Sequence, residues 1–368
     1  MKRKPKIAVI GAKGFPAWGG AARSNEAIFT RVIDKFDITV YAISSHATEG
    51  NYQGIKQIIF KASRNKKFSV LFYHIKSIFN LLTKGNFDLV HINHRSIGIF
   101  VPLIRLKYPV LLNIHGMPTK WIDDKWSALE KCYIIIAQNI GFRYANRIVT
   151  VQKGSTKKIE EVHKNPVIFI PNGVDNNFEL IDSESFSNKE FNITFAAARI
   201  IYLKGLHLLL DALNHINYDG KVQIIGDINQ VDSYKEKIFK SSLTLECEFA
   251  GLIHKKDNLF KRIAQSELFV FPSYTEGMSN MLLEVASLKI PIIASNIPQN
   301  TEVFSDSEIL FFKSGDFIDL QNKINWALNN QLKMIENAKL AYEKVMHHHN
   351  WDKIALQYTD VYNEMICK

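Results

Sequence analysis

Residues 269–295, FVFPSYTEGMSNMLLEVASLKIPIIAS, decide the fold of this chain. Apolar strands are predicted at Leu268–Phe271 and Pro291–Ala294, and the segment between them predicts a polar loop and then a helix that begins near Ser279. A strand, a helix and a second strand in this order form a βαβ unit of a parallel sheet. The stretch therefore predicts an α/β fold.

This unit carries two carboxylates, Glu276 in the loop and Glu284 more than one turn into the helix. Ligands of open α/β sheets bind beyond the carboxyl ends of the strands, where both acids are expected. The first amides of the helix, those of Ser279, Asn280 and Met281, have no partner within the helix and can receive an anion. The pattern predicts a binding site in which the two acids contact different parts of one ligand.

The remainder of the chain alternates strands and helices in the same way in both halves. A length of 368 residues is more than one ordinary α/β core requires, so two domains are expected. A turn-rich segment, Pro171–Asp175, precedes a polar stretch without clear periodicity. We therefore predict a domain boundary after residue 170, with the second domain ending at residue 349.

The net charge of +10 is distributed unevenly. Residues 1–165 contain 27 Lys and Arg against 10 Asp and Glu, whereas residues 166–368 contain 19 against 26. A basic first half predicts attraction to a phospholipid leaflet, a nucleic acid or a pyrophosphate-bearing substrate. Apolar runs long enough to span a membrane are not found, and three isolated cysteines favour a reducing, cytoplasmic location.

A basic cluster precedes a strongly apolar helix in the first half. The residues concerned are Lys61, Arg64, Lys66, Lys67 and Phe68. Cations followed by aromatic and aliphatic side chains are typical of a helix that lies in a membrane interface. A crossover helix packed on the sheet, with a solvated basic start, explains the pattern equally well.

Glycine-rich and histidine-containing loops follow strands of the first half. The segment Gly11–Ser24, which includes Gly19 and Gly20, follows the strand Lys6–Ile10 but lacks both GxGxxG and the phosphate-loop sequence. It predicts either close approach of backbone amides to a phosphate or sugar, or a tight turn. His115 follows another strand and is either a site residue or a structural histidine.

Arg199 and Lys204 lie between the first strand of the second half and its helix. A planar guanidinium and a point-charge ammonium at the carboxyl end of a strand suit a diphosphate, although both could be ordinary surface charges.

The ordered set of motifs resembles glycosyltransferase family 4. The residues that carry the resemblance are Gly19-Gly20, His115-Gly116, Pro171–Asp175, Arg199, Lys204-Gly205, Gly226-Asp227, Pro272-Ser273, Glu276 and Glu284 with Gly-Met-Ser-Asn between them, and Trp351. These are retaining, nucleotide-sugar-dependent enzymes of the GT-B fold. The resemblance implies two Rossmann-like domains with parallel sheets facing across a cleft, and a terminal helix, residues 350–368, that returns to the N-terminal domain.

The resemblance also implies roles for single residues. Glu284 would accept hydrogen bonds from the nucleotide ribose, and Glu276 would bind the hydroxyls of the donor sugar. Arg199 and Lys204 would neutralise the departing diphosphate, and His115 would contact the transferred sugar. Backbone groups would assist at Gly19, Gly20 and the helix start, which comprises Gly277, Met278, Ser279 and Asn280.

No Asp-x-Asp sequence occurs, so neither a metal nor another cofactor is expected beyond the donor itself. The opening glycine segment is similar to that of enzymes that build bacterial surface polysaccharides such as capsule and lipopolysaccharide. It departs from them at Ala22, which bears on the acceptor. The expected function is transfer of a sugar, of the hexosyl type, from a nucleotide diphosphate to a saccharide on a polyprenyl diphosphate, at the inner face of the cytoplasmic membrane.

Two other functions fit parts of the sequence. A nucleotide-sugar epimerase or hydrolase would use the same fold without a saccharide acceptor. A nucleic-acid-binding protein would explain the basic first half, but recognisable DNA- or RNA-binding motifs are missing.

Overall fold

The computed structural model describes residues 3–17, 19–62, 66–116, 127–164, 167–175 and 189–367. The chain divides into two compact units. Unit 1 comprises Met1–Asn172 together with Trp351–Lys368, and unit 2 comprises Gly173–Asn350.

Unit 1 contains an eight-stranded sheet in the order β3-β4-β2-β1-β5-β6-β7-β8. Its pairs are parallel except for β3 with β4. The strands are β1 Lys6–Lys13, β2 Asp37–Ile43, β3 Asn51–Tyr52, β4 Ile55–Phe60, β5 Leu89–Ile92, β6 Val110–Ile114, β7 Arg147–Thr150 and β8 Ile168–Phe169.

Helices cover both faces of this sheet. They are α1 Gly20–Val32, α2 Lys66–Lys84, α3 Val101–Arg105, α4 Ala128–Tyr144, α5 Ser155–Glu160 and the last helix of the chain, Trp351–Ile366. One core joins the sheet to α1 and the terminal helix, through side chains such as Phe29 and Tyr358. The other joins it to α2, α3 and α4, through side chains such as Tyr73 and Phe142. The terminal helix is thus an integral part of unit 1, as the resemblance implied.

Unit 2 contains a six-stranded parallel sheet in the order β11-β10-β9-β12-β13-β14. The strands are β9 Phe191–Arg199, β10 Val222–Asp227, β11 Cys247–Gly251, β12 Ser266–Phe271, β13 Ile292–Ser295 and β14 Leu310–Phe312. The helices of this unit are α6 Leu206–His215, α7 Asp232–Ser241, α8 Lys256–Ala264, α9 Asn280–Ser287, α10 Pro298–Thr301, α11 Phe317–Asn329 and α12 Gln331–His348. The terminal helix of unit 1 is therefore α13. Two parallel α/β sheets confirm the predicted fold class.

Two local predictions need correction. The sequence after the glycine-rich segment predicts a helix from Asn25 to Ile33, but α1 begins at Gly20, because glycine is tolerated at a helix start. From the sequence, the run of three histidines and an asparagine at His347–Asn350 predicts a polar break between helices. His347 and His348 instead form the last turn of α12, and only His349 and Asn350 separate it from α13.

Helix α2 is a crossover helix whose outer face is apolar. Tyr73, Ile78 and Leu81 are buried against the sheet. On the opposite side Phe72 and Phe79 are 49% and 67% exposed. Further exposed apolar side chains lie on the same helix layer, namely Leu71, Ile75, Leu103, Leu106, Leu129, Ile135 and Ile136. None of the described helices combines the length and hydropathy required to cross a bilayer.

Candidate functional site

The candidate site of unit 2 lies where the strand order reverses. From β9 the chain proceeds to β10 and β11 on one side, whereas β12, β13 and β14 occupy the other side. Strands β9 and β12 are neighbours at this reversal, so the loops that leave them lie side by side at the carboxyl edge of the sheet, where ligands of open α/β sheets bind. Arg199, which is exposed, ends β9, and Glu276 follows β12. The topology thus brings together acids and cations that are more than 70 residues apart in the chain.

Lys204 and Glu276 form an ion pair between these two loops. The distance from Lys204 Nζ to Glu276 Oε1 is 2.6 Å, and the side chains are 27% and 9% exposed. An ion pair this enclosed is screened less by water than a surface pair. The structure thus joins in one ion pair the residue assigned from the sequence to the diphosphate and the residue assigned to the sugar.

The backbones of the same two loops are in direct contact. Gly205, at φ 72°, has no space for a side chain, since a Cβ there would lie 2.0 Å from the carbonyl oxygen of Pro272. The amide of Tyr274 donates to the carbonyl of Leu203 at 2.9 Å. Lys204 and Glu276 are consequently carried by two loops that form one junction.

A stack of aromatic rings packs beside this junction. The ring of His207 stacks on that of Tyr202 at 4.4 Å, and Tyr202 stacks on Tyr274 at 5.4 Å. The two ring nitrogens of His207 are hydrogen-bonded to the hydroxyls of Tyr234 and Tyr274, at 2.9 and 3.1 Å. Burial, with a smaller contribution from Lys237, lowers the pKa of His207 to about 4, so the ring is neutral at pH 7. The stack was not predicted from the sequence, because its members come from three separate elements.

Helix α9 places the second carboxylate. Ser279 is its N-cap, and its hydroxyl accepts a hydrogen bond from the amide of Leu282. The helix begins at Asn280, as predicted, and the preceding Met278 is buried. Glu284 follows one turn later and is only 4% exposed. The helix N-terminus and Glu284 therefore lie on the element that leaves the same loop as Glu276.

Lys256 is a site residue that the sequence analysis missed. Its Nζ lies 2.8 Å from Oδ2 of Asp175 and 3.3 Å from Oε1 of Glu284. It is the first residue of α8, and a lysine there is unremarkable in a sequence with 46 basic residues. Its position after a strand that ends at the same edge as β12 was the only available signal.

In unit 1, His115 directly follows β6 and joins a small amide cluster. Its Nε2 lies 3.4 Å from both Asn93 Oδ1 and Asn113 Nδ2, and Asn113 also donates to the hydroxyl of Tyr358. Within the described residues, its Nδ1 is buried without a hydrogen-bond partner. Burial lowers the pKa of His115 to about 4, so the imidazole is neutral at pH 7.

Gly19 and Gly20 form the start of α1 in unit 1. Gly19 has an extended φ of −169°, and a Cβ at either glycine would meet nothing within 4 Å. Neither the backbone conformation nor the packing of unit 1 therefore requires glycine at these positions.

The predicted membrane contact is placed only in part. Lys61 is exposed at the end of β4, whereas Arg64 and the side chains of Lys66, Lys67 and Phe68 lie outside the described residues. Clusters of three or more His, Cys, Asp or Glu suited to a metal are absent from the part of the chain that the structure describes.

Several curated proteins are similar to this chain over much of its length. The capsular polysaccharide biosynthesis glycosyltransferase CapH of Staphylococcus aureus is 27% identical, over 66% of this chain and 68% of its own. The O-antigen biosynthesis glycosyltransferase WclY of Escherichia coli is 23% identical, over 83% and 84%. A Campylobacter jejuni N,N'-diacetylbacillosaminyl-diphospho-undecaprenol alpha-1,3-N-acetylgalactosaminyltransferase is 22% identical, over 85% and 87%.

Solved structures share the fold. A sucrose-phosphate synthase from Thermosynechococcus elongatus superposes with a TM-score of 0.85 at 18% identity, covering 99% of each chain. Anabaena HepE, in complex with UDP and glucose, gives 0.79 at 17% identity, covering 98% of this chain and all of HepE. At these identities the likeness concerns the GT-B fold alone, and it agrees with the fold that the motifs implied.

Two family models match adjacent parts of the chain. The model of glycosyltransferase family 4 matches residues 18–178, and the model of glycosyl transferases group 1 matches residues 177–342. Because they account for the chain from residue 18 to residue 342 and carry the acids and cations of the site, this protein belongs to the family 4, group 1 glycosyltransferases.

Proposed function

We propose that this glycosyltransferase moves a hexosyl residue, with retention, from a nucleoside diphosphate sugar to a lipid-linked saccharide during assembly of a surface polysaccharide. The observation that carries the proposal is the Lys204–Glu276 pair at the strand-order reversal of unit 2, with Glu284 on the adjoining helix. The names of CapH and WclY support a surface-polysaccharide pathway. The diphospho-undecaprenol in the name of the Campylobacter relative supports a lipid-linked acceptor, and the UDP and glucose bound by HepE support the donor class.

On the donor side, each charged residue has a distinct task. Cleavage of a glycosyl phosphate bond leaves negative charge on the diphosphate, so fixed cations and amides there lower the barrier. Arg199 and Lys204 supply the cations, and the first amides of α9, after Ser279, supply hydrogen bonds. Glu284 binds the ribose hydroxyls and Glu276 binds the hydroxyls of the sugar. The charge balance needs no metal ion.

The ion pair gives this site a defined exchange on donor binding. Lys204 and Glu276 neutralise each other, with Nζ and Oε1 2.6 Å apart. A diphosphate brings two or more negative charges and competes for the ammonium, while the sugar hydroxyls replace it at the carboxylate. Donor binding thus releases Glu276 to orient the sugar. A nucleoside diphosphate without a sugar would replace Glu276 at the ammonium of Lys204 but would give the carboxylate no sugar hydroxyls in return.

Unit 1 supplies further contacts in this proposal. Gly19 and Gly20, whose amides begin α1 and which packing does not require to be glycine, allow a phosphate or sugar to approach the backbone. His115, neutral at pH 7 and with a ring nitrogen that has no hydrogen-bond partner among the described residues, offers a polar contact to the transferred sugar. Neither residue is proposed as an acid or base.

The anionic membrane surface is the proposed location of the acceptor. The outer face of α2 presents Phe72, Ile75 and Phe79 together with exposed Lys76, a combination that suits the boundary between acyl chains and anionic headgroups. The basic residues that precede it, from Lys61 onward, add electrostatic attraction. We propose a peripheral association with the inner face of the cytoplasmic membrane.

Transfer assays test the proposal directly. Purified protein is given UDP-, GDP- and dTDP-sugars with a membrane extract or a synthetic polyprenyl-diphosphate saccharide, with and without EDTA. We expect acceptor-dependent transfer that EDTA does not reduce. Glu276→Gln should lower the rate by roughly 100-fold or more, whereas Glu246→Gln, on an exposed pair with Lys221, should not.

Two outcomes would contradict the proposal. Donor consumption that is equal with and without acceptor would favour an epimerase or a hydrolase on this fold. Transfer at the full rate by Glu276→Gln would remove the proposed site.

A further inference from the structure

Lys256 joins three separate parts of unit 2 at one ammonium group. Its Nζ is 2.8 Å from Asp175 Oδ2 and 3.3 Å from Glu284 Oε1, and it lies 5.1 Å from the ring centre of Phe260. The side chain of Glu284 is only 5% exposed, so its carboxylate has little access to water. Lys256 is therefore a partner that the protein itself supplies to this buried carboxylate.

The two neighbouring carboxylates keep Lys256 protonated. Burial acts to lower the pKa of its ammonium, but Glu284 and Asp175 outweigh burial and raise the pKa above its ordinary value. The carboxylates of Asp175 and Glu284 thus share this one ammonium.

A paired carboxylate changes how strongly a site discriminates between ribose and deoxyribose. A buried acid whose partners are ribose hydroxyls alone would be left unsatisfied by a 2'-deoxynucleotide, and sites of that kind reject the analogue strongly. Glu284 can accept from Lys256 and from sugar hydroxyls together, because a carboxylate has about four acceptor positions. With Lys256 in place, the loss of one hydroxyl leaves the acid paired.

We propose that Lys256 is a positioning and specificity residue that keeps Glu284 paired and oriented, so that the donor site accepts nucleoside diphosphates with or without a 2'-hydroxyl. This inference rests on the proposed role of Glu284 at the ribose. It extends the donor class from ribonucleotide sugars to deoxyribonucleotide sugars.

The test compares nucleotide pairs that differ in one hydroxyl. Affinities for UDP against 2'-deoxy-UDP, and for GDP against 2'-deoxy-GDP, are measured by calorimetry at pH 8 for the wild type, Lys256→Met and Lys255→Met. The last is the matched control, since Lys255 is the exposed neighbour. We expect the ribo-to-deoxy affinity ratio to be within about tenfold for the wild type and the control, and to rise by roughly tenfold or more in Lys256→Met.

Each outcome decides the matter. If Lys256→Met lowers both affinities by the same factor, Lys256 is merely structural and the inference is wrong. If Lys256→Met does not fold, Lys256→Gln, which retains a hydrogen-bond donor without the charge, provides the ratio, and an unchanged ratio there also overturns the inference. If the wild type binds none of these nucleotides, the proposed donor site fails together with it, whereas binding with an unchanged ratio leaves the donor site intact.

Discussion

The ammonium of Lys204 lies 2.6 Å from the carboxylate of Glu276, although the residues belong to loops that follow different strands. The pair exists because β9 and β12 are neighbours in the sheet, so the loops after them meet at one edge. The contact holds the two side chains together at the edge where the site is proposed.

A double-mutant cycle measures this pair. We expect Lys204→Met and Glu276→Gln each to destabilise unit 2, and the double variant to lose less than the sum of the two. The reason is that either single change leaves a partly buried charge without its partner. The expected coupling is on the order of 1 to 3 kcal/mol in urea unfolding. The exposed pair Lys221 and Glu246 is the control, with a coupling of about 0 to 1 kcal/mol. Additive effects at Lys204 and Glu276 would show that the contact does not stabilise the unliganded site.

Gly205→Ala should disrupt the loop junction. A Cβ at residue 205 would lie 2.0 Å from the carbonyl oxygen of Pro272, and φ is 72°. We expect a loss of stability of roughly 2 to 4 kcal/mol, together with weaker binding of nucleoside diphosphates, measured by calorimetry. An alanine variant with unchanged stability and affinity would mean that the two loops need not touch.

Gly20→Ala separates a ligand requirement from a structural one. A Cβ there meets nothing within 4 Å, and alanine favours a helix more than glycine does, by up to about 1 kcal/mol. Stability should therefore stay unchanged or rise slightly. If substrate approaches this backbone, the transfer rate should nevertheless fall by roughly tenfold or more. A tenfold lower rate requires an activation barrier only about 1.4 kcal/mol higher. Full activity in Gly20→Ala would show that the double glycine has no role at the substrate.

Buried histidines predict acid sensitivity of unit 1. Burial lowers the pKa of His74 and His91 to about 3 and that of His94 to about 4, with smaller contributions from neighbouring histidines and Lys13. Below a pH of about 6.5, the ordinary pKa of histidine, these rings therefore bind protons in the unfolded chain but not in the folded protein. Stability conferred by the neutral rings is complete above that pH and is lost as the pH falls towards 4, at up to about 1.4 kcal/mol per pH unit for each ring.

Urea unfolding at pH 7, 6 and 5 checks this sign. His91→Gln should flatten the dependence, because it removes one of the groups that take up a proton only on unfolding. His254→Gln, on an exposed histidine of unit 2, serves as the control substitution. A free energy of unfolding that rises on acidification would contradict the prediction.

The outer face of α2 is testable by vesicle flotation. Phe72→Glu combined with Phe79→Glu places two acids on side chains that are 49% and 67% exposed, so the fold should be retained. We expect binding to vesicles rich in phosphatidylglycerol to decrease by roughly tenfold or more, through lost apolar burial and added repulsion. Leu243→Glu, on an 81% exposed residue of unit 2, should bind as the wild type does. Equal flotation of all three proteins would exclude this face.

Part of the site was predictable from local chemistry. Ser279 caps α9 at the predicted position, because a serine before an apolar period signals a helix start. Glu276 and Glu284 were placed in the loop and in the helix for the same reason. The start of α1 was wrong by five residues, since glycine is disfavoured within helices but tolerated at Gly20 in the first turn.

The residues that the sequence did not reveal are those whose roles depend on distant partners. Lys256 is one of many lysines until Asp175 and Glu284 are placed on either side of it. The stack of Tyr202, His207 and Tyr274 likewise requires two loops to meet. Pairings between loops leave no periodic trace in a sequence.

By itself, the sequence determined the α/β class, the two parallel sheets and the acids and cations of the motifs, because alternation, capping and composition act over a few neighbouring residues. Only the tertiary structure decided that Lys204 bonds Glu276, that Lys256 bonds Glu284, and that α2 packs one face on the sheet and leaves an apolar face outside. Strand order and burial are set by the free energy of the whole core, so these relationships appear only when the strands are side by side.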